Sequence, residues 1–314
     1  MSALAAVSAF ALVLTSCGGE DAGSSGSGDG GAEQLSGEVK VDGSSTVAPL
    51  SEAAAALYAE EQPDVNVTVG TSGTGGGFEK FCNGETDISD ASRPIKDEEI
   101  AACEANSITY AELIVANDAL TVVVNPAVDF VDCLTVEQLS TIWSSGSTIA
   151  NWNEVDPSFP DLPLDLYGAG TDSGTFDYFT DAINGEEGNS RTDYTPSEDD
   201  NTTVQGVAGS EGGMGYFGFT YYEENADTLK ALEIDNGEGC VAPSVETAQD
   251  GSYAPLSRPL FIYPSDKGVE RPEVLDFINF YIENIDDIVT EAQYVPLTDE
   301  QKATLAEEFE ALTG

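Results

Sequence analysis

Short strand-like runs alternate with helix-like segments along most of this chain, and that alternation restricts the fold more than any other feature. "EVKVDG" and "VNVTVG" alternate apolar with polar residues. "AELIVA", "LTVVVN", "LPLDLYG" and "RPLFIYP" are short apolar or β-branched runs with turn residues nearby. Between them stand helical patterns, among them "VAPLSEAAAALYAEE", "DEEIAACEAN", "TVEQLSTIW", "SGTFDYFTDAI", "TTVQGVAG", "EVLDFINFYIENI" and "TDEQKATLAEEFEAL". Strand and helix in this order predict an α/β architecture with largely parallel sheets. No repeat of fixed period is visible.

The segments at residues 120–126 and 258–264 look alike, each an apolar strand stopped by proline. They read as two crossings of the chain between lobes, with the C-terminal helices returning to the first lobe. Lobe 1 then comprises residues 37–122 plus 258–314, and lobe 2 comprises 123–257. The 314 residues suffice for two such bodies. A cleft between lobes is a common place for a small-molecule site.

The first residues, "MSALAAVSAFALVLTSC", hold an apolar run too short to span a bilayer. The run ends in Leu14-Thr15-Ser16-Cys17, which resembles a bacterial lipobox, so residues 1–16 read as a signal peptide and Cys17 as a lipidation site. There is no Lys or Arg before Lys40, where such a leader would open on positive charge. The Gly/Ser/Asp tract that follows, within residues 17–36, has almost nothing to bury and reads as a tether. Four cysteines remain, an even number that in an exported chain suggests two disulfides. Three pairings are open. Cys82 with Cys103 and Cys133 with Cys240 are preferred, because crossed pairs would tie together segments expected in different lobes. A zinc site lacks C-x-x-C spacing, and no metal is expected.

Composition narrows the function. The chain has 58 acidic against 10 basic residues, a formal charge of −48, which argues against nucleic acid and anionic membrane surfaces. It has no histidine, which removes Ser-His-Asp and Cys-His triads and His-ligated metals. Carboxylate pairs for glycoside hydrolysis are too abundant to be a signal.

Three segments share a design that points elsewhere. "DGSSTVAPL" (residues 42–50), "GTSGTGGGFEKF" (residues 70–81) and "YGAGTDSGTFDYF" (residues 167–179) each follow a strand and open a helix, with Ser, Thr and Gly at the junction. A helix start leaves unpaired N–H donors and a partial positive charge that suit an anion. One such junction is an ordinary capped helix; three, at the strand ends where α/β sheets bind ligands, point to an anion site. None carries the G-K-[ST] of a nucleotide phosphate loop. Ser44, Ser45 and Thr46 stand in the first junction, and Asp172 or Ser173 caps the third. "TDISDASRPI" (residues 86–95) adds Arg93, one of few cations, whose fork of donors fits a tetrahedral oxyanion. Arg191 is again beside hydroxyls, followed by Glu198, Asp199 and Asp200, which suit the cap of a helix starting near Thr202.

Together "DGSSTVAPL", "GTSGTGGGFEKFCNGETDISDASRPI", "YGAGTDSGTFDYF" and "SEGGMGYFGFTYY" resemble the phosphate-binding protein of the bacterial high-affinity phosphate ABC transporter. The likeness runs from Val39 to about Pro296. It implies a two-lobed periplasmic-binding-protein fold of class II type, with two crossover strands, that closes over a dehydrated phosphate. It implies contacts from Ser45 and Thr46, Thr74, Ser92, and Ser173, Gly174 and Thr175; the residues themselves add Arg93 and, as additional candidates, Ser44 and Arg191. It also implies a monomeric, extracytoplasmic, lipid-anchored protein without cofactor or enzymatic activity, partnered by ABC permease subunits. Two positions depart from the family pattern. The acid that accepts the phosphate proton is sought at Asp90 or Asp172, since Ser92 stands near its usual place, and Ala169 stands where many members carry an Arg. Rival readings are the same fold binding sulfate or molybdate, a secreted carboxylate-pair hydrolase, and a surface adhesin or sensor.

Overall fold

The computed structural model describes residues 34–171 and 173–314, so the leader, Cys17, the tether as far as residue 33, and Asp172 lie outside the described residues. The first part of the chain runs β1 (Gly37–Gly43), α1 (Ala48–Glu61), β2 (Val65–Gly70), α2 (Gly73–Cys82), β3 (Ile88–Ala91) and α3 (Asp97–Ala105). In β1 the side chains of Val39 and Val41 point into the core while Lys40 between them stays exposed, as a two-residue period requires. Pro49 sits in the first turn of α1, where a missing N–H leaves no bond unmade. The same helix buries Leu50, Ala54 and Tyr58, four residues apart, along one stripe.

Strand β4 (Leu113–Val124) joins two runs that the sequence reads as separate. Asn117 and Asp118 interrupt the apolar pattern there, yet both are satisfied, one by the C-terminal segment and one by β12. Asn117 bridges Val295 through its backbone and bonds Pro296 O and Gln301 through its side chain, and Asp118 accepts from Arg258. With those polar groups paired, nothing stops the strand.

The chain continues through β5 (Cys133–Thr135), α4 (Val136–Trp143), α5 (Trp152–Val155), β6 (Asp165–Ala169), α6 (Gly174–Asn184), β7 (Thr195–Ser197), α7 (Asp200–Gly209) and β8 (Gly213–Gly218). It then forms β9 (Lys230–Ala231), β10 (Glu233–Asp235), β11 (Cys240–Val241) and β12 (Ser257–Pro264), and ends in helices Pro272–Glu283, Ile285–Glu291 and Asp299–Thr313. The main sheet is ordered β2-β1-β3-β12-β4-β8-β6-β7, with β9 also on β4; β11-β10-β5 form a second, small sheet.

The expectation of largely parallel sheets needs correction, because the main sheet is mixed. β1 pairs in parallel with β2 and β3, and β6 with β7 and β8, as βα units dictate. β12 is antiparallel to both β3 and β4, and β4 to β8. The cause is connectivity: β4 carries the chain out of one apolar core and β12 carries it back alongside. The first part of β4 pairs with β12, and its last residues, Leu120–Val124, pair with β8. One core draws on residues 39–116 and 260–309, including Phe277, Ile278 and Tyr281 of the helix Pro272–Glu283; the other draws on residues 120–256. The disulfides are Cys82–Cys103, joining the end of α2 to α3, and Cys133–Cys240, joining β5 to β11, the pairing preferred from the sequence.

Candidate functional site

The C-terminal ends of β1, β2 and β3 lie side by side, so the loops that leave them meet. At the first, Gly43 has φ +152° and a Cβ there would stand 2.0 Å from the carbonyl oxygen of Asp90, so only glycine fits. Ser44 N–H donates to that same oxygen at 2.9 Å, and Ser44 Oγ accepts from Thr46 N–H at 3.2 Å. Tyr294 Oη donates to Thr46 O at 2.6 Å, fixing the loop from the C-terminal side.

The second loop is anchored by Asp42 at the end of β1. Its carboxylate accepts from both the N–H and the hydroxyl of Ser72 and from Lys80 Nζ at 2.6 Å. Burial raises the Asp42 carboxyl, but the bonds from Lys80 and Ser72 outweigh it and leave it below the ordinary range. Thr74 Oγ1, in the first turn of α2, accepts from Ser92 N–H at 3.2 Å and shares a hydrogen bond with Ser92 Oγ at 3.1 Å. The second and third loops are thereby locked together.

Ser45, Thr46, Thr74, Ser92 and Arg93 line one cavity of about 800 Å³, together with Ser44. The opposite wall comes from α6, as Asp177, Tyr178 and Asp181, and from Glu187 beyond it. Burial raises the carboxyls of Asp177 and Glu187. Arg93 is engaged: its two terminal nitrogens donate to the two oxygens of Glu99 at 2.9 and 2.8 Å.

Ser173, Gly174 and Thr175 are placed differently. Ser173 caps α6, its Oγ accepting from Thr175 N–H at 3.2 Å, and a Cβ on Gly174 would stand 2.9 Å from Thr46 Oγ1. The start of α6 thus abuts the first loop but does not line the large cavity. Thr175 lines a neighbouring cavity of about 200 Å³ that shares Thr46, beside Asp118, Asp200 and Tyr294. Burial raises Asp118, and pushes Asp200 up to about 6.

Two expected residues lie elsewhere. Asp90 is fully buried behind the first loop, its Oδ1 accepting from Ser51 Oγ at 2.9 Å, so its carboxyl faces the core and not the cavity. Arg191 is buried with its donors on Asp193 and on the carbonyls of Ile142 and Ile149, an arrangement that fastens its loop to the end of α4. It lines a separate cavity of about 370 Å³. The acids after it do cap a helix: Asp199 accepts from Asn201 N–H at the start of α7.

Arg258 is the cationic residue beside Thr46 that sequence reasoning missed. It enters from β12, close to Thr46, Asp118 and Tyr178. A signal was present: Ser-Arg-Pro occurs twice, at residues 92–94 and 257–259, and both arginines line this cavity. Among the described residues the one group of acids and cysteines close enough to hold a metal, Cys133, Glu233 and Cys240, has both sulfurs in a disulfide and offers no thiolate. Among them also, no helix is long and apolar enough to cross a membrane.

Comparison with known proteins gives the family. Residues 28–284 match the family described as the PBP superfamily domain. The chain is 51% identical over 262 residues to Protein SphX of Synechococcus elongatus, covering 82% of this chain and 77% of that one. It is 42% identical over 288 residues to the phosphate-binding protein PstS of Staphylococcus saprophyticus, covering 91% and 86%. A crystal structure described as a possible phosphate binding protein from Planctomyces limnophilus superposes with a TM-score of 0.86 at 47% identity, covering 90% of this chain and all of that one.

Proposed function

This chain belongs to the PBP superfamily, among PstS- and SphX-like proteins, and from that membership we propose that it captures inorganic phosphate outside the cytoplasm for an ABC importer. The Staphylococcus relative is described as a phosphate-binding protein, and in this reading the cleft captures and releases with no bond made or broken. The observation that carries this reading is the convergence of hydroxyls from three strand-end loops, Thr46, Thr74 and Ser92, on one cavity in a chain of net charge −48. Such donors attract an anion locally without a basic surface.

In this reading Ser45, Thr46, Thr74, Ser92 and Arg93 hold the phosphate from one side, and Ser173, Gly174 and Thr175 hold it from the start of α6. Thr46 joins the two sets, since it lines both cavities and lies against Gly174. The two apolar cores are taken as the two lobes, with the expected divisions at 122/123 and 257/258 falling on or beside the strands that run between them. Asp172, next in sequence to the α6 cap, is retained as the acid that reads the phosphate proton. Cys17 tethers the mature, monomeric protein to the outer face of the membrane.

Calorimetric titration with phosphate and sulfate at pH 5.5 and pH 8 tests the ligand. Phosphate keeps a proton that sulfate lacks, so a site built to accept it should reject sulfate by ~10⁴-fold. Sulfate binding as tight as phosphate binding refutes the assignment.

A further inference from the structure

Resting on that reading, we propose that Arg258, and not Arg93, supplies the main positive charge that meets the bound anion, with Tyr178 as its positioning residue. The two arginines line the same cavity and follow the same Ser-Arg-Pro pattern, but their guanidinium groups are engaged in different ways. Arg93 presents its fork to Glu99, one terminal nitrogen to each oxygen, and Nη1 also donates to Pro94 O at 3.1 Å. A bidentate pair of this kind already satisfies the geometry an oxyanion would need. An arriving anion would have to displace Glu99 or accept the remaining edge.

Arg258 meets its acid side-on. It stands directly across the sheet from Asp118, to which Nε donates at 3.2 Å, and Nη2 donates to Thr46 Oγ1 at 3.2 Å. A guanidinium carries five N–H donors. Among the described residues these two bonds leave both hydrogens of Nη1 and one of Nη2 at the terminal end of the fork. The side chain is 19% exposed, enough to reach the cavity and little enough that a bond there is poorly screened by water.

Tyr178 sets the plane of that fork. The Arg258 Cζ lies 3.5 Å from the ring centroid, a stacked contact, and the ring is itself held by Tyr178 Oη donating to Pro255 O at 2.8 Å. Stacking leaves the edge of the guanidinium unobstructed while blocking rotation about its stem. Arg258 and Asp118 lie on β12 and β4, which run between the two cores; Thr46 belongs to the first loop and Tyr178 to α6. One side chain therefore joins the first loop and α6 to the two strands that run between the cores.

Phosphate calorimetry on five variants tests this, with unfolding curves to show that each folds. D118N/R258Q removes the pair without stranding a buried charge, and should weaken phosphate by about 100-fold or more. R258K keeps the charge but loses the fork, with an expected loss of about tenfold or more. R93A should cost less than either. Tyr178→Leu should weaken binding in the wild-type background and add nothing in D118N/R258Q, a non-additivity that a purely structural tyrosine would not produce. A larger loss in R93A than in D118N/R258Q overturns the charge assignment, and equal Tyr178→Leu losses in both backgrounds overturn the positioning role. A wild-type chain that binds sulfate or molybdate in place of phosphate refutes the ligand reading, and the same series on that anion then decides Arg258. A wild-type chain that binds none of the three overturns both.

Discussion

Asparagine at position 90 would isolate the electrostatic cost built in beneath the first loop. Asp90 is fully buried, with one oxygen on Ser51 and the other, Oδ2, without a partner among the described residues. Burial raises its carboxyl from the ordinary 3.8 to about 7; the Ser51 bond opposes this, and the charges of Asp42 and Glu52 add to it. Between those two values the folded chain keeps the proton and the unfolded chain has released it, so native stability falls as pH rises. Above about 7 both states are ionised and the penalty is constant. Across the whole interval, at 1.36 kcal/mol per unit, the penalty is bounded at about 4 kcal/mol, and about 3 kcal/mol of it develops between pH 5 and pH 8.

D90N has no proton to lose. Its stability relative to wild type should therefore rise by about 3 kcal/mol from pH 5 to pH 8, or about 6 °C in Tm for a chain of this size. Urea unfolding followed by circular dichroism at pH 5, 6, 7 and 8 reads the difference directly. Every other carboxyl is common to both proteins and cancels, and any fixed packing change from the amide appears as a pH-independent offset. A difference that stays constant over the whole range, or that shrinks as pH rises, refutes the reasoning.

Two further perturbations probe the frame of the cleft. In α2, a Cβ on Gly77 would stand 2.5 Å from Gly43 Cα and 2.9 Å from Asp42 O, so Gly77→Ala should lower stability by about 1–3 kcal/mol by forcing the helix off β1. At Gly75 a Cβ would meet only Arg93 Nη2 at 3.9 Å, so Gly75→Ala should instead gain about 0.5–1 kcal/mol; thermal melts of the pair decide, and matching signs would be inconsistent with the packing. Cys133 and Cys240 close a span of 107 residues, which chain entropy values at about 5 kcal/mol. The double serine variant should show most of that loss in urea, and a loss below about 1 kcal/mol would count against an entropic origin.

Features that depend on neighbours along the chain are legible in the sequence. The strand-to-helix junctions at residues 42–50, 70–81 and 167–179 carry their Gly, Ser and Thr within a few positions, and each lies between a strand and the helix expected after it. Features that depend on distant partners are not. Asp118 and Arg258 are 140 residues apart, and nothing local marks either as half of a pair. The polar Asn117-Asp118 step looks like a break between strands because the groups that satisfy it come from the C-terminal region and from β12. Arg191 misleads for the reverse reason: its hydroxyl neighbours suggest a ligand, whereas the carbonyls that occupy it lie more than forty residues back in the chain. Asp90 is drawn toward the site by its place near Ser92, but its carboxyl is fully buried against Ser51 of α1, a partner 39 residues back in the chain.

An excess of acid and an anion site are compatible in one molecule because the two act over different distances. Most of the net charge of −48 belongs to side chains in water, where the field of each falls off within about 8 Å at physiological salt. The donors at the cavity are fixed dipoles and hydroxyls in contact range, and their pull grows as water is excluded. Three of the cations nearby are also balanced by acids, Arg93 by Glu99, Lys80 by Asp42 and Arg258 by Asp118. Discrimination must then come from the direction in which donors point and not from the sum of charges. That is why the side-on pairing of Arg258 matters: Asp118 compensates its charge through Nε while leaving the terminal N–H groups for a ligand. A guanidinium whose terminal fork is filled, as that of Arg93 is by Glu99, offers an anion only its Nε edge.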